Sequence, residues 1–305
     1  MRLLFTFACL CLVVAGCSAQ TSETDTTIPG DASSDTAQTG SVSVQTTTTP
    51  APIDLNQLPL FIQAKTAVPE RYDFAVAQGA QFVPTSDGRS FYVLWTPKDF
   101  ASASLRPMIV TLHGHGSWAL DEFYLWQPYA EQRGYGIIAL QWWFGGGEAV
   151  SDYYAPDEIS DIFEKELTNQ KIEPGKALFH GFSRGSANSY VVTALDREGS
   201  RFFGLTISNS GGMVSNYPPN IEIINGRFGA APFSGAHWVM YCGEKDQNPA
   251  RDGCSAMQAA RETVTGLGAT VDLFIDDPAG GHGGFHRNPA NVNQALDVFD
   301  QLIGR

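Results

Sequence analysis

Positive charge is in short supply here: 19 Lys and Arg stand against 32 Asp and Glu in 305 residues, a formal charge of −13. Binding nucleic acid takes a basic stripe, so nucleic-acid partners are excluded as an expectation. Cysteine is scarce as well. Cys9, Cys11 and Cys17 all lie near the start, which leaves only Cys242 and Cys254 for the rest of the chain. Two cysteines make neither a disulfide-dense scaffold nor a zinc cluster. No H-E-x-x-H pair and no phosphate-cradling glycine loop occurs, so no metal or nucleotide cofactor is implied. Long apolar runs are missing too. A bilayer span takes about 20 residues, and the best candidate, residues 3–14, reaches only about a dozen, the length of a signal-peptide apolar region. There is no internal repeat.

What is present divides the chain in three. After Met1-Arg2 and the apolar run comes Val14-Ala15-Gly16-Cys17, which resembles the lipobox of bacterial lipoproteins. That resemblance implies that residues 1–16 are a lipoprotein signal peptide and that Cys17 becomes the acylated first residue. The alternative is an ordinary signal with an incidental cysteine. Ser18 rather than Asp follows the cysteine, which in the lipoprotein pattern implies the outer membrane of a two-membrane bacterium. Residues 17–52 are almost wholly Thr, Ser, Ala, Gln, Gly and Asp. They hold too little apolar surface to offset the entropy of ordering, so a disordered tether is expected, with the membrane reached through the N-terminal lipid alone. Residues 53–305 fit one α/β domain. In an exported chain Cys242 and Cys254 are expected to pair as a disulfide, two buried thiols being the alternative.

Apolar runs alternate with amphipathic segments from about residue 80 onward, the pattern of an α/β fold. Strands are expected over residues 90–95, 107–112, 136–140, 177–182, 202–208, 237–242 and 269–275. Helices are expected over 118–133, 157–170, 187–195, 254–267 and 291–303, and 211–235 reads as a long Gly-, Asn- and Pro-rich loop.

Four segments at expected strand ends carry chemistry. Gly181-Phe182-Ser183-Arg184-Gly185 is a G-x-S-x-G between strand and helix, where a sharp turn exposes the serine hydroxyl and small flanking residues allow close strand–helix approach. His113-Gly114-His115-Gly116-Ser117 follows the strand ending at Leu112. Gly243-Glu244-Lys245-Asp246 follows the strand ending at Cys242. Gly280-Gly281-His282-Gly283-Gly284-Phe285-His286 follows the last strand. A serine hydroxyl is a poor nucleophile until a base takes its proton and a carboxylate orients that base.

From about residue 90 to 305 these motifs resemble the α/β-hydrolase-fold serine esterases, closest to the secreted polyhydroxybutyrate-depolymerase and feruloyl-esterase-like branch. The resemblance implies a mostly parallel central sheet flanked by helices, and a carboxylic-ester hydrolase working through an acyl-enzyme without a cofactor. In that chain order Ser183 is the nucleophile, Asp246 the acid (Glu244 and Asp252 the alternatives) and His282 the base in preference to His286. The H-G-x-G resemblance places the oxyanion-hole N–H groups on His115 and Arg184, and gives His113 a structural role inside its loop. His180 and His237 are read as packing or rim residues. Trp142, Trp143 and Phe144, at another strand end, are candidate substrate contacts, with core packing the plain alternative. A prolyl-oligopeptidase-like peptidase has the same triad order, and an inactive surface-binding lipoprotein is a third reading. The substrate expected is a small or polymeric ester.

Overall fold

The computed structural model describes residues 53–213 and 216–305; the expected signal peptide, Cys17 and the expected tether fall outside the described residues. The strands are β1 (Gln81–Pro84), β2 (Phe91–Trp95), β3 (Met108–Leu112), β4 (Gly136–Leu140), β5 (Ala177–Phe182), β6 (Phe203–Asn209), β7 (His237–Gly243) and β8 (Thr270–Asp277). They form one sheet in the order β1-β2-β4-β3-β5-β6-β7-β8. β1 pairs with β2, and β2 with β4, antiparallel, and every other pair is parallel.

Composition explains the centre. β2, β3 and β4 are buried at every residue, as strands covered on both faces must be. β7 shows the two faces separately. Trp238, Met240 and Cys242 enter one core with Tyr190, Met257 and Val264, while Val239 and Tyr241 enter the other with Phe285 and Leu296. Successive side chains of a strand point to opposite faces, so alternation along β7 divides the core in two.

The helices are α1 (Pro59–Ala67), α2 (Pro69–Ala77), α3 (Ala119–Arg133), α4 (Pro156–Asn169), α5 (Arg184–Glu198), α6 (Pro218–Ile224), α7 (Cys254–Gly266), α8 (Gly284–Arg287) and α9 (Pro289–Ile303). Local chemistry sets their ends. Asp121 accepts from the Trp118 N–H at 3.0 Å at the start of α3, and Glu158 from the Ala155 N–H at 2.8 Å at the start of α4. Asn288 caps α9, accepting from the Ala290 N–H at 3.1 Å, with Pro289 next and left-handed Gly304 at the far end. A side-chain acceptor before the first turn and a left-handed glycine after the last are the favoured helix boundaries.

The expected strands and helices are all present. β1 and α8 were not among the expected elements, and other differences follow. α1 and α2 precede the alternating pattern and were not expected, because nine-residue helices have weak intrinsic stability. They form by packing: Leu60, Phe61 and Ala64 are buried, and the Phe61 ring lies 5.1 Å from those of Phe82 and Phe91. α6 interrupts the expected 211–235 loop, anchored by buried Asn220 and Ile223. α5 begins at Arg184, directly after the nucleophile candidate.

Strand order locates the chemistry. β3 has β4 on one side and β5 on the other, so the direction of winding reverses there. Open α/β sheets place ligands at such a switch point, outside the carboxyl ends of the strands. The loops after β3, β5, β7 and β8 begin at those carboxyl ends, and they are the four singled out above.

Candidate active site

Ser183 lies between β5 and α5 with φ 53° and ψ −111°, a sparsely populated backbone conformation of the kind that stores strain at functional sites. Its neighbours make the turn sterically possible. A Cβ at Gly181 would meet the Gly185 carbonyl oxygen at 2.4 Å, and one at Gly185 would meet the Leu112 carbonyl oxygen at the same distance. Only glycine fits at either position, so β5, α5 and the end of β3 close tightly on one another.

His282 Nε2 is 2.8 Å from Ser183 Oγ, and His282 Nδ1 is 2.8 Å from Asp246 Oδ2. The Asp246 side chain is 1% exposed, and its other oxygen accepts from the Asn248 N–H at 2.9 Å. A buried carboxylate beside Nδ1 favours the tautomer with its proton there, leaving Nε2 to accept from the serine. Asp252, the alternative acid, is also buried close by, but the Arg251 guanidinium holds its Oδ2 at 2.9 and 2.7 Å. Glu244 is exposed.

The loops that carry Asp246 and His282 are laced together. Gly280 O accepts from the Lys245 N–H at 2.9 Å and Asp277 O from the Glu244 N–H at 3.0 Å. The expected Cys242–Cys254 disulfide is present and joins the end of β7 to the start of α7 across the loop that holds Asp246. Asp277, absent from the sequence reading, organises the base loop. Its Oδ1 accepts from the Ala279 and Gly280 N–H groups at 3.0 and 2.9 Å. Its Oδ2 accepts from Asn291 Nδ2 at 3.1 Å and the Tyr241 hydroxyl at 3.2 Å. Burial acts to raise its pKa, yet these donors hold the carboxyl below its ordinary value. An Asp at a strand end before Pro-Ala-Gly-Gly is an Asx-turn signal.

The loop after β3 lies against the elbow: a Cβ at Gly114 would be 3.3 Å from Ser183 Cβ. Gly116 turns the loop with φ 66°, and the Ser117 N–H donates to Gly114 O at 3.3 Å. The backbone N–H groups of His115 and Arg184 have no partner among the described residues. His113 is fully buried, with Nδ1 2.8 Å from Gly114 O. Burial drives its pKa down to about 4, so the ring is a neutral structural element.

No family model matches the sequence, and no curated protein matches it. Solved structures do. The Francisella virulence factor BioJ is similar at TM-score 0.56 and 12% identity, over 82% of this chain and 94% of that one. A structure from a study of two fungal esterases from Rhizomucor miehei is similar at 0.55 and 12% identity, over 83% and 91%. An esterase from Pyrobaculum calidifontis is similar at 0.54 and 13% identity, over 78% and 92%. At such identities the likeness is one of fold. The fold is that of the α/β-hydrolases.

Within that fold, two expected substrate contacts take another place. Trp142 and Trp143 are only 1% and 3% exposed. Their indole N–H groups donate to His113 O at 2.9 Å and Ser117 O at 2.7 Å. A buried indole needs an acceptor, and here the acceptors are the two ends of the loop against Ser183. The two rings thus take the place that the core-packing alternative gives them, buried and hydrogen-bonded to the two ends of that loop. Phe144 is half-buried, packed 5.1 Å from the Tyr154 ring and beneath the Arg89 guanidinium.

His286, the alternative base, lies in a buried cluster under the elbow, its ring 4.8 Å from that of Trp126 and 5.4 Å from that of His180. Burial drives its pKa down to about 3. Thr111 donates to Glu122 Oε2 at 2.8 Å, and His180 Nδ1 stands 2.8 Å from Thr111 Oγ1 and 3.3 Å from Glu122. Burial would raise the Glu122 carboxyl, but the adjacent His180 holds it low. His180 is thus a packing residue, and His237, 3.0 Å from Asp272, is a rim residue.

Proposed function

We propose that this protein is a serine hydrolase that cleaves carboxylic esters through an acyl-enzyme. The relay Ser183 Oγ–His282 Nε2 and His282 Nδ1–Asp246, each at 2.8 Å, carries the reading. Ser183 Oγ attacks the ester carbonyl while His282 Nε2 takes its proton, and Asp246 stabilises the imidazolium formed. The negative charge on the former carbonyl oxygen is received by the free N–H groups of Arg184 and His115, each worth about 3 kcal/mol by analogy with removal of such donors. As the tetrahedral species collapses, His282 returns the proton to the departing alkoxide. Water, activated by the same imidazole, then hydrolyses the acyl-serine. Neighbours named as esterases support an ester over an amide.

Ser183→Ala is expected to abolish labelling by a fluorophosphonate probe and ester turnover with the fold intact. Labelling that survived, or moved to Ser117 or Ser186, would overturn the assignment. A panel of short-acyl, feruloyl, polyester and amide substrates tests the polyhydroxybutyrate-depolymerase and feruloyl-esterase-like branch, and separates esterase from peptidase.

We also propose that Cys17 carries the lipid and that the catalytic domain stands off a bacterial membrane on the tether, as Val14-Ala15-Gly16-Cys17 and the composition of residues 17–52 suggest. Cys17→Ser is expected to release soluble protein. Unchanged membrane partitioning would refute it.

A further inference from the structure

Arg184 follows the nucleophile and starts α5. Its backbone N–H has a role in the proposed reaction, but its side chain has none so far. The guanidinium lies over the Tyr153 ring, 4.5 Å from the centroid. Tyr153 is itself fixed beside the oxyanion loop: its hydroxyl donates to Gly147 O at 2.7 Å and stands 3.2 Å from His115 Nδ1. Arg184 Nη1 is buried and has no hydrogen-bond partner, and no carboxylate pairs with Arg184 among the described residues. Leaving a buried donor unmade is costly, more so on a charged group. Tyr153 receives the flat face of the guanidinium, which leaves Nη1 without a partner.

We propose that Arg184 is a specificity residue that selects esters carrying a carboxylate. The planar fork matches a carboxylate, and the Tyr153 ring preorganises it one residue from Ser183. The inference rests on the ester-hydrolase reading and adds the substrate class. The carboxylate could be on the acyl side, as in a half-ester of a dicarboxylic acid, or on the alcohol side, as in the acyl ester of a hydroxy acid. The shared chemistry is a fixed anion within reach of Arg184.

Two matched pairs of substrates distinguish these. For the acyl side, the p-nitrophenyl half-ester of glutaric acid is compared with p-nitrophenyl valerate. For the alcohol side, the acetyl ester of 4-hydroxybenzoate is compared with that of 4-hydroxybenzamide. In one pair the ratio of kcat/KM, anionic over neutral, is expected to fall about ten-fold or more in Arg184→Met, the scale of one charge-assisted hydrogen bond. Arg184→Lys should keep much of the ratio, and added salt should lower it in the wild type. A merely structural role for the stack on Tyr153 would depress both members of a pair alike and leave the ratio unmoved. Ratios unchanged by Arg184→Met in both pairs would overturn the inference while leaving the esterase reading intact. Should Arg184→Met fail to fold or to take the fluorophosphonate label, the wild-type ratio decides: insensitivity to salt in both pairs overturns the inference. If the wild type neither hydrolyses the neutral esters nor takes the label, the ester-hydrolase reading fails and this inference with it.

Discussion

At the scale of single residues, two histidines four positions apart have opposite fates. His282 stands in a glycine-flanked loop between a hydroxyl and a carboxylate, and His286 is half-buried against Trp126, His180 and Phe285, with its Nε2 buried and unpartnered. His282→Ala is therefore expected to cost about a thousand-fold or more in kcat on an activated ester, as loss of a triad member does elsewhere. His286→Phe should leave kcat near wild type. Steady-state kinetics on the two variants check this, and the reverse pattern would exchange their roles. The same contrast separates the acids. Asp246 and Asp252 are both buried, but the first is within hydrogen-bond reach of an imidazole and the second is engaged by Arg251.

At the scale of elements, the site is a meeting of four loops, each held by something other than itself. Gly181 and Gly185 let the elbow close against β3, and Asp277 ties the base loop to Tyr241 and Asn291. The loop after β3, the proposed oxyanion loop, leans on two indoles. Trp143→Phe keeps the bulk and removes the donor to Ser117 O. A net contribution of about 1 kcal/mol for such a bond corresponds to a several-fold effect. If the loop acts as proposed, on the transition state and not on ground-state binding, the variant should accordingly lose about five-fold in kcat with KM little changed. An effect confined to KM would instead return the indole to the substrate surface.

At the scale of the whole molecule, buried neutral histidines couple folding to pH. His113 and His286 have pKa values pushed down to about 4 and about 3 by burial, against an ordinary 6.5. In the unfolded chain both take up protons as pH falls through 6.5, while the folded chain resists. Their contribution to stability is thus complete above about 6.5 and is lost progressively as pH falls toward the folded values. Asp196, pushed up to about 6 by burial despite the Phe202 and Phe203 N–H groups, works in the opposite direction between its unfolded and folded values. A variant separates the two. Between about pH 7 and about pH 4, His286→Phe should lose about 3 kcal/mol less stability than the wild type, measured by chemical denaturation at each pH. Parallel curves for the two proteins would show that His286 does not titrate with unfolding.

Local pattern alone determined the order of the strands and of the longer helices from residue 90 onward, the elbow at Ser183 and the four loops worth attention, because hydrophobic period and glycine spacing are properties of adjacent residues. The pairing of Cys242 with Cys254 was likewise legible from arithmetic. Tertiary structure alone decided what the side chains at those loops do. Whether Trp142 and Trp143 face substrate or core, that Asp277 organises the loop carrying His282, and that Arg184 lies over Tyr153 with no carboxylate beside it all depend on groups brought together from distant parts of the chain. Short α1 and α2 belong to the same class, since their stability comes from packing on Phe82 and Phe91 and not from their own nine residues. A strand's period is written in its own sequence, whereas a buried polar atom's partner comes from wherever the fold places it.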